Sequence, residues 1–244
     1  MTLGAFFKIF GSKHRTAASY PPPEHADVIE PFAGAAGYAT RHAGRRVTLI
    51  EVDPKIAALW SWLIRVRPSE VLSIPLLNPD QTVEDLGAVA EEARSLVGFW
   101  LGAASFMPRT RPGAWMREFP DSGRYWCARV RARIAAQVER IRHWRVIAGS
   151  FDLAPDMPAT WFVDPPYEVA GSLYRSGRPD FAAVGAFARS RRGLVIACEA
   201  DGATWLPFRP HHTAKALRGH SREVVYVQRN GREVPAEQIE MFTR

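Results

Sequence analysis

The chain has 244 residues, 47% hydrophobic and 23% charged, which is enough to bury the core of one α/β domain and leave a small extra lobe. Eight Trp, thirteen Phe and six Tyr exclude a disordered chain, no window approaches the ~18 uninterrupted apolar residues of a bilayer span, and Cys127 and Cys198 alone exclude a disulfide framework or a Cys-based zinc centre. A net charge of +7 and a pI near 9.8 favour a polyanionic partner, nucleic acid before a membrane.

Residues 28–66 alternate short β-branched runs with helical pattern. Val28-Ile29-Glu30 reads as a strand, Phe32 to Gly37 as a Gly/Ala turn, Tyr38 to Ala43 as a short helix and Val47 to Ile50 as a second strand. Pro54 sits well at a helix N1 position, and the helix it opens places Ile56, Leu59, Trp60, Leu63 and Ile64 on one side. From Pro68 to Trp144 the texture is helical and then basic. Val83, Leu86, Val89, Ala90, Ala93, Leu96 and Val97 have the spacing of one amphipathic helix. Trp126, Val130, Ile134, Val138 and Ile141 have that of another, with Trp126 in its apolar stripe. Between them Met107 to Trp115 is Pro/Gly/Arg-rich without periodicity. Residues 68–144 therefore read as an insertion between strands.

The remainder returns to α/β texture. Candidate strands are Arg145 to Ala148, Thr160 to Val163, Gly193 to Cys198 and Glu223 to Gln228, with a helix through Phe181, Val184 and Phe187. Strands separated by helices imply a largely parallel sheet with covered faces. The start of the chain lacks a cationic region and an apolar stretch of secretory length, so an intracellular, cytoplasmic chain is expected.

Asp164-Pro165-Pro166-Tyr167 is the sharpest chemical feature. It follows Trp161-Phe162-Val163 and so stands at the carboxyl end of a strand, the edge where open parallel sheets bind ligands. Two prolines remove two backbone donors and fix the chain direction, leaving carbonyl oxygens free to accept. The Asp164 carboxylate and the Pro165 carbonyl together would take both hydrogens of an exocyclic amino group, with the Tyr167 ring against a planar base.

This tetrapeptide after an apolar strand resembles the catalytic motif of amino-methylating DNA methyltransferases, and the rest of the chain resembles the Dam-type DNA adenine N6-methylases of the D12 class. Lys8-Ile-Phe-Gly11-Ser-Lys13 is similar to that family's Lys-Trp-x-Gly-x-Lys segment. Ile29-Glu30-Pro31-Phe32-Ala33-Gly34-Ala35-Ala36-Gly37 is similar to its Glu-Pro-Phe-x-Gly-x-Gly cofactor loop. The order of cofactor loop, recognition insertion and catalytic motif is the family's, and a phage-borne or restriction-modification member fits the pattern.

The resemblance implies a Rossmann-like methyltransferase fold, with residues 1–67 and 145–244 as the catalytic domain and 68–144 as the target-recognition insertion. The cofactor implied is S-adenosylmethionine. Small residues from Phe32 to Gly37 would let the backbone approach it, and Lys8 or Lys13 would hold its carboxylate. Glu51 and Asp53 are candidates for its ribose hydroxyls, although Asp53 before Pro54 equally reads as a helix cap. Two departures stand out: Ser150, before Phe151, replaces the family's acidic residue, and Ile9 replaces its Trp.

The insertion carries the charge. Arg109, Arg111, Arg117, Arg124, Arg129 and Arg133 are interleaved with Trp115, Phe119, Tyr125 and Trp126, a combination suited to phosphates and to bases leaving a duplex. The expected reaction is methyl transfer to N6 of adenine in double-stranded DNA with base flipping. N4 of cytosine, an adenine in RNA, or a silent DNA-binding homologue are the alternatives. No metal, membrane or obligate protein partner is expected. His211, His212 and His220 read as loop histidines and Cys198 as core. Trp205 and Phe208 read as packing residues, with a target-base pocket as the other reading.

Overall fold

The computed structural model describes residues 2–102, 105–119, 125–168, 177–215 and 220–240. The elements in chain order are β1 (Asp27–Glu30), α1 (Gly37–Arg41), β2 (Arg46–Glu51), α2 (Pro54–Arg65), α3 (Pro68–Ser73), α4 (Glu91–Phe99), α5 (Ala114–Glu118) and α6 (Ala128–Val138). They continue through β3 (Arg145–Ala148), β4 (Ala159–Val163), α7 (Phe181–Ser190), β5 (Gly193–Ala200), β6 (Arg209–Lys215), β7 (His220–Arg229), β8 (Arg232–Glu233) and α8 (Ala236–Glu240).

The strands lie in the order β3-β2-β1-β4-β5-β7-β6, with β8 paired to β7. Strands β1 to β5 pair in parallel, while β7 runs antiparallel between β5 and β6. A doubly wound parallel sheet with an antiparallel strand slotted behind its fifth member is the Rossmann-like fold of the S-adenosylmethionine-dependent methyltransferases. That is the fold class expected from the sequence. The order reverses between β1 and β4, which opens a crevice at their carboxyl ends.

Side-chain alternation builds the two faces. Val28, Leu49, Phe162, Leu194, Ile196 and Cys198 belong to a core shared with α2, α4 and α6. Ile29, Ile50, Trp161, Val163, Val195 and Ala197 belong to the opposite core, closed by Val184, Phe187 and Ala188 of α7. All five residues of β4 are buried, as a central strand covered on both faces requires. Helix α2 starts where expected: the Asp53 carboxylate accepts from Lys55 N at 2.9 Å, and Pro54 needs no partner for an amide hydrogen it lacks. Asp180 caps α7 in the same manner.

The insertion differs from its sequence reading. The stripe from Val83 to Val97 is two pieces, a 3-10 turn at Val83–Leu86 and α4 from Glu91, because Gly87 adopts φ +71 and breaks the helix between them. Arg94 bridges the break by donating to the carbonyls of Val83 and Gly87. The aperiodic link from Met107 to Trp115 already enters α5 at Ala114, and α3 fills residues the apolar spacing leaves unassigned. Indole hydrogen bonds tie residues 68–144 to the N-terminal segment and to each other: Trp100 Nε1 donates to Phe6 O at 2.8 Å and Trp126 Nε1 to Pro75 O at 2.9 Å. His211 and His212 are strand residues of β6, and His220 opens β7, so none of the three is in a loop. No helix among the described residues is long and apolar enough to cross a membrane, and no group of three metal-ligating side chains occurs among them.

Candidate active site

The carboxyl edge of the parallel strands brings distant segments together. Glu30 ends β1 and is 2% exposed; its Oε1 accepts from Ala39 N at 2.5 Å and so ties the loop to α1. Burial, with Asp164 adding to it, pushes the Glu30 carboxyl up to about 8, although the Ala39 amide and Lys13 pull the other way. Pro31 and Ala33 are buried, while Phe32 is half-buried and tilts against Phe151 with ring centroids 5.3 Å apart.

Gly34 sits at φ +46 with open space where a Cβ would be, so a ligand can reach its backbone. Its carbonyl accepts from Trp60 Nε1 at 2.8 Å and its amide donates to Glu51 Oε2 at 2.8 Å. Ala36, at φ +49, occupies the last glycine position of the Glu-Pro-Phe-x-Gly-x-Gly pattern; an L-residue there costs about 1–2 kcal/mol. Sequence reading missed that departure, although counting along the pattern exposes it. Gly37 has a different job from cofactor approach. A Cβ there would stand 2.8 Å from His14 N and Lys13 C, so the glycine admits the N-terminal segment.

Glu51, at the end of β2, is buried and commits both oxygens to the chain, Oε2 to Gly34 and Oε1 to Asp53 N at 2.9 Å. It therefore braces the loop after β1, and Asp53 is the cap of α2. Ser150 is half-buried just after β3, where its carbonyl accepts from Leu153 N at 3.0 Å; Phe151 follows it and packs against Phe32 and Phe187.

Asp164 follows β4. Its Oδ1 lies 2.8 Å from Lys13 Nζ, which also donates to Gly11 O at 3.2 Å and stands 4.6 Å from the centroid of the Tyr167 ring. Glu223 of β7 approaches the same ammonium at 3.9 Å. Burial pulls the Lys13 ammonium down, but Asp164, Tyr167 and Glu223 outweigh it and hold the group well above the ordinary lysine range. Burial pushes the Asp164 carboxyl up, and the Lys13 contact pulls it back. Lys8 takes another direction: its ammonium lies over the Trp100 ring, 4.3 Å from the centroid.

Glu199, at the end of β5, is fully buried; it accepts from Ala200 N, from Trp205 Nε1 and from Glu168 N just after the tetrapeptide. It thus fixes the chain just after Tyr167. Trp205 is half-buried and packs on Phe181 and Phe208. Neither Glu199 nor Glu223 was singled out from the sequence. Glu199 carried a signal, being a carboxylate at a strand end, whereas Glu223 had none.

The basic residues divide. Arg109, Arg111 and Arg129 are exposed. Arg117 donates to Pro112 O at 2.9 Å. Arg133 is turned inward, against Gly4, donating to Ala5 O at 2.9 Å with its guanidinium 5.2 Å from the Trp100 centroid. Its expected place on a nucleic-acid surface is therefore corrected to one holding the N-terminal segment. Arg124 lies outside the described residues.

His14 gives the site a pH signature. Its Nδ1 is 3.1 Å from Thr40 Oγ1, its Nε2 is buried without a hydrogen-bond partner, and burial, with Arg133 nearby, lowers its pKa to about 4. The unfolded chain binds this proton below about pH 6.5 and the folded one does not, so stability is lost as pH falls through that window. Moving from pH 7 to pH 5 is expected to remove about 2 kcal/mol through His14. Urea denaturation of the parent and His14→Gln at both pH values checks this; equal losses in the two proteins would contradict it.

No family model and no curated protein matches the chain. Among solved structures, a conserved hypothetical protein of Streptococcus pyogenes is 13% identical over 83% of this chain and 85% of its own, with a TM-score of 0.36. An Escherichia coli protein named as a candidate methyltransferase, yhhF, is 14% identical over 82% of this chain and 74% of its own, with a TM-score of 0.30. The fold class rests on the strand order, which is independent of both.

Proposed function

We propose that this protein is an S-adenosylmethionine-dependent methyltransferase acting on an exocyclic amino group, that of adenine N6 in double-stranded DNA. One observation carries the reading. Asp164 and Tyr167, at the carboxyl end of a central strand and beside the β1 loop, already hold a nitrogen: an amine 2.8 Å from the carboxylate and over the ring.

The cofactor supplies an electrophilic methyl group on a sulfonium. The chain does the rest by position and charge. The β1 loop opens its backbone at Gly34, and Glu51 with Trp60 keeps that loop from collapsing. Asp164 and the Pro165 carbonyl would accept the two amino hydrogens, which would leave the nitrogen lone pair free to take the methyl group. As the N–C bond forms and the C–S bond breaks with its electron pair kept on sulfur, positive charge grows on nitrogen. The Asp164 carboxylate stabilises that charge until one proton leaves for solvent. A base inside a duplex cannot reach this pocket, so it must be flipped out. Exposed Arg109, Arg111 and Arg129, with half-exposed Trp115 and Phe119, support a nucleic-acid substrate over a small amine.

Calorimetric titration with S-adenosylmethionine tests the cofactor half of this reading. Binding is expected, weakened at least about tenfold in Gly34→Val, whose Cβ enters the open space at the loop. A parent protein that takes up no S-adenosylmethionine would sink the proposal and return the chain to a DNA-binding role.

A further inference from the structure

The Lys13 ammonium occupies the place the proposed substrate must take. It is hydrogen-bonded to Asp164, lies over Tyr167 and is 5% exposed. An amino group arriving at Asp164 has to displace it, and a buried cation cannot be left without a partner. Only one other carboxylate lies within ion-pair range of that nitrogen among the described residues: Glu223, with Oε2 at 3.9 Å. That separation is too long for a hydrogen bond. The second oxygen of Glu223, Oε1, is buried and has no hydrogen-bond partner. Glu223 is thus an acceptor with unused capacity one short swing from the ammonium.

We infer that Lys13 is a stand-in for the substrate amino group and that Glu223 is its second resting place. The ammonium sits on Asp164 in the free protein and moves to Glu223 when the target nitrogen enters. This deepens the methyl-transfer reading and rests on it for the identity of the incoming amine. The arrangement has two consequences. The empty pocket never exposes an unpaired Asp164. When the ammonium has moved, the negative potential at Asp164 is strongest as positive charge develops on the reacting nitrogen. Glu223 is accordingly a positioning residue, acting through Lys13.

The four lysines of the chain, Lys8, Lys13, Lys55 and Lys215, permit a direct test. In protein carrying labelled lysine side chains, with signals assigned by replacing each lysine in turn by arginine, the Lys13 amine is expected to show protons sheltered from exchange with water. Asp164→Asn should keep that shelter at a changed shift, because Glu223 receives the ammonium, and adding Glu223→Gln should abolish it. Loss of shelter in Asp164→Asn alone overturns the exchange.

The second readout is kinetic. Glu223→Gln should lower kcat/KM for plasmid DNA about tenfold or more, entirely through KM, because the displaced ammonium loses a charged acceptor. Glu223→Asp should recover part of the loss. A fall in kcat, a fall in S-adenosylmethionine affinity, or no change at all would assign Glu223 to structure only and overturn the inference. If the parent methylates no nucleic acid, the functional reading fails, while the lysine spectra still decide whether the ammonium has two seats.

Discussion

Asp164→Ala is expected to reduce methyl transfer by at least ~10²–10³-fold, the scale of losing one aimed catalytic dipole. The size follows from the absence of a substitute at the reacting nitrogen. The Pro165 carbonyl accepts one amino hydrogen but carries no full charge, and Pro165 and Pro166 have no amide hydrogen with which to rebuild a polar contact. The folded state should survive the change better than the chemistry. Lys13 loses its 2.8 Å partner but retains Glu223 nearby, so a melting curve close to the parent's should accompany the lost turnover. Turnover near that of the parent would remove Asp164 from the mechanism.

Trp60→Ala is expected to produce the largest loss of stability, about 3–5 kcal/mol. Trp60 is fully buried in α2 and meets Phe6, Phe7 and Trp144 at ring separations of 5.6, 5.2 and 5.8 Å. It also hydrogen-bonds the Gly34 carbonyl, so the same substitution releases the loop after β1. Trp60→Phe separates the two effects, keeping much of the packing and losing the hydrogen bond. Urea denaturation should rank the parent above Trp60→Phe and Trp60→Ala lowest. S-adenosylmethionine affinity should fall in both variants. Unchanged affinity in Trp60→Phe would show that the indole hydrogen bond does not shape the loop.

The parts of this molecule that were readable in sequence are those whose physics is local. β1, β2, β4 and β5 are short apolar runs bounded by turn residues, and Asp53-Pro54 announces a helix start. The Asp164 tetrapeptide and the Gly34 loop are contiguous, so their positions at strand ends follow once the strands are found. What escaped depends on partners far along the chain. The contact between Lys13 and Asp164 spans 151 residues, and no spacing rule predicts that a lysine expected at a cofactor carboxylate instead lies on Asp164. Glu223 stands on β7, an antiparallel strand whose neighbours are set by the whole sheet order. Strand β6 escaped because Arg209, Pro210, His211 and His212 show no apolar alternation; it ends the strand order beside β7. Arg133 looked like its arginine neighbours in composition, yet the close approach of Gly4 and the Trp100 ring draws it inward. Gly87 carried no warning beyond its identity, since the apolar period runs straight through it.

The most direct measurement is incubation of the purified protein, alongside Asp164→Ala, with plasmid DNA and S-adenosylmethionine, followed by mass spectrometry of the digested nucleosides. N6-methyladenine in the parent digest and its near absence in the variant digest is the predicted result. N4-methylcytosine would keep the Asp164 chemistry and contradict the adenine assignment. No methylated nucleoside from plasmid DNA would contradict the DNA substrate altogether.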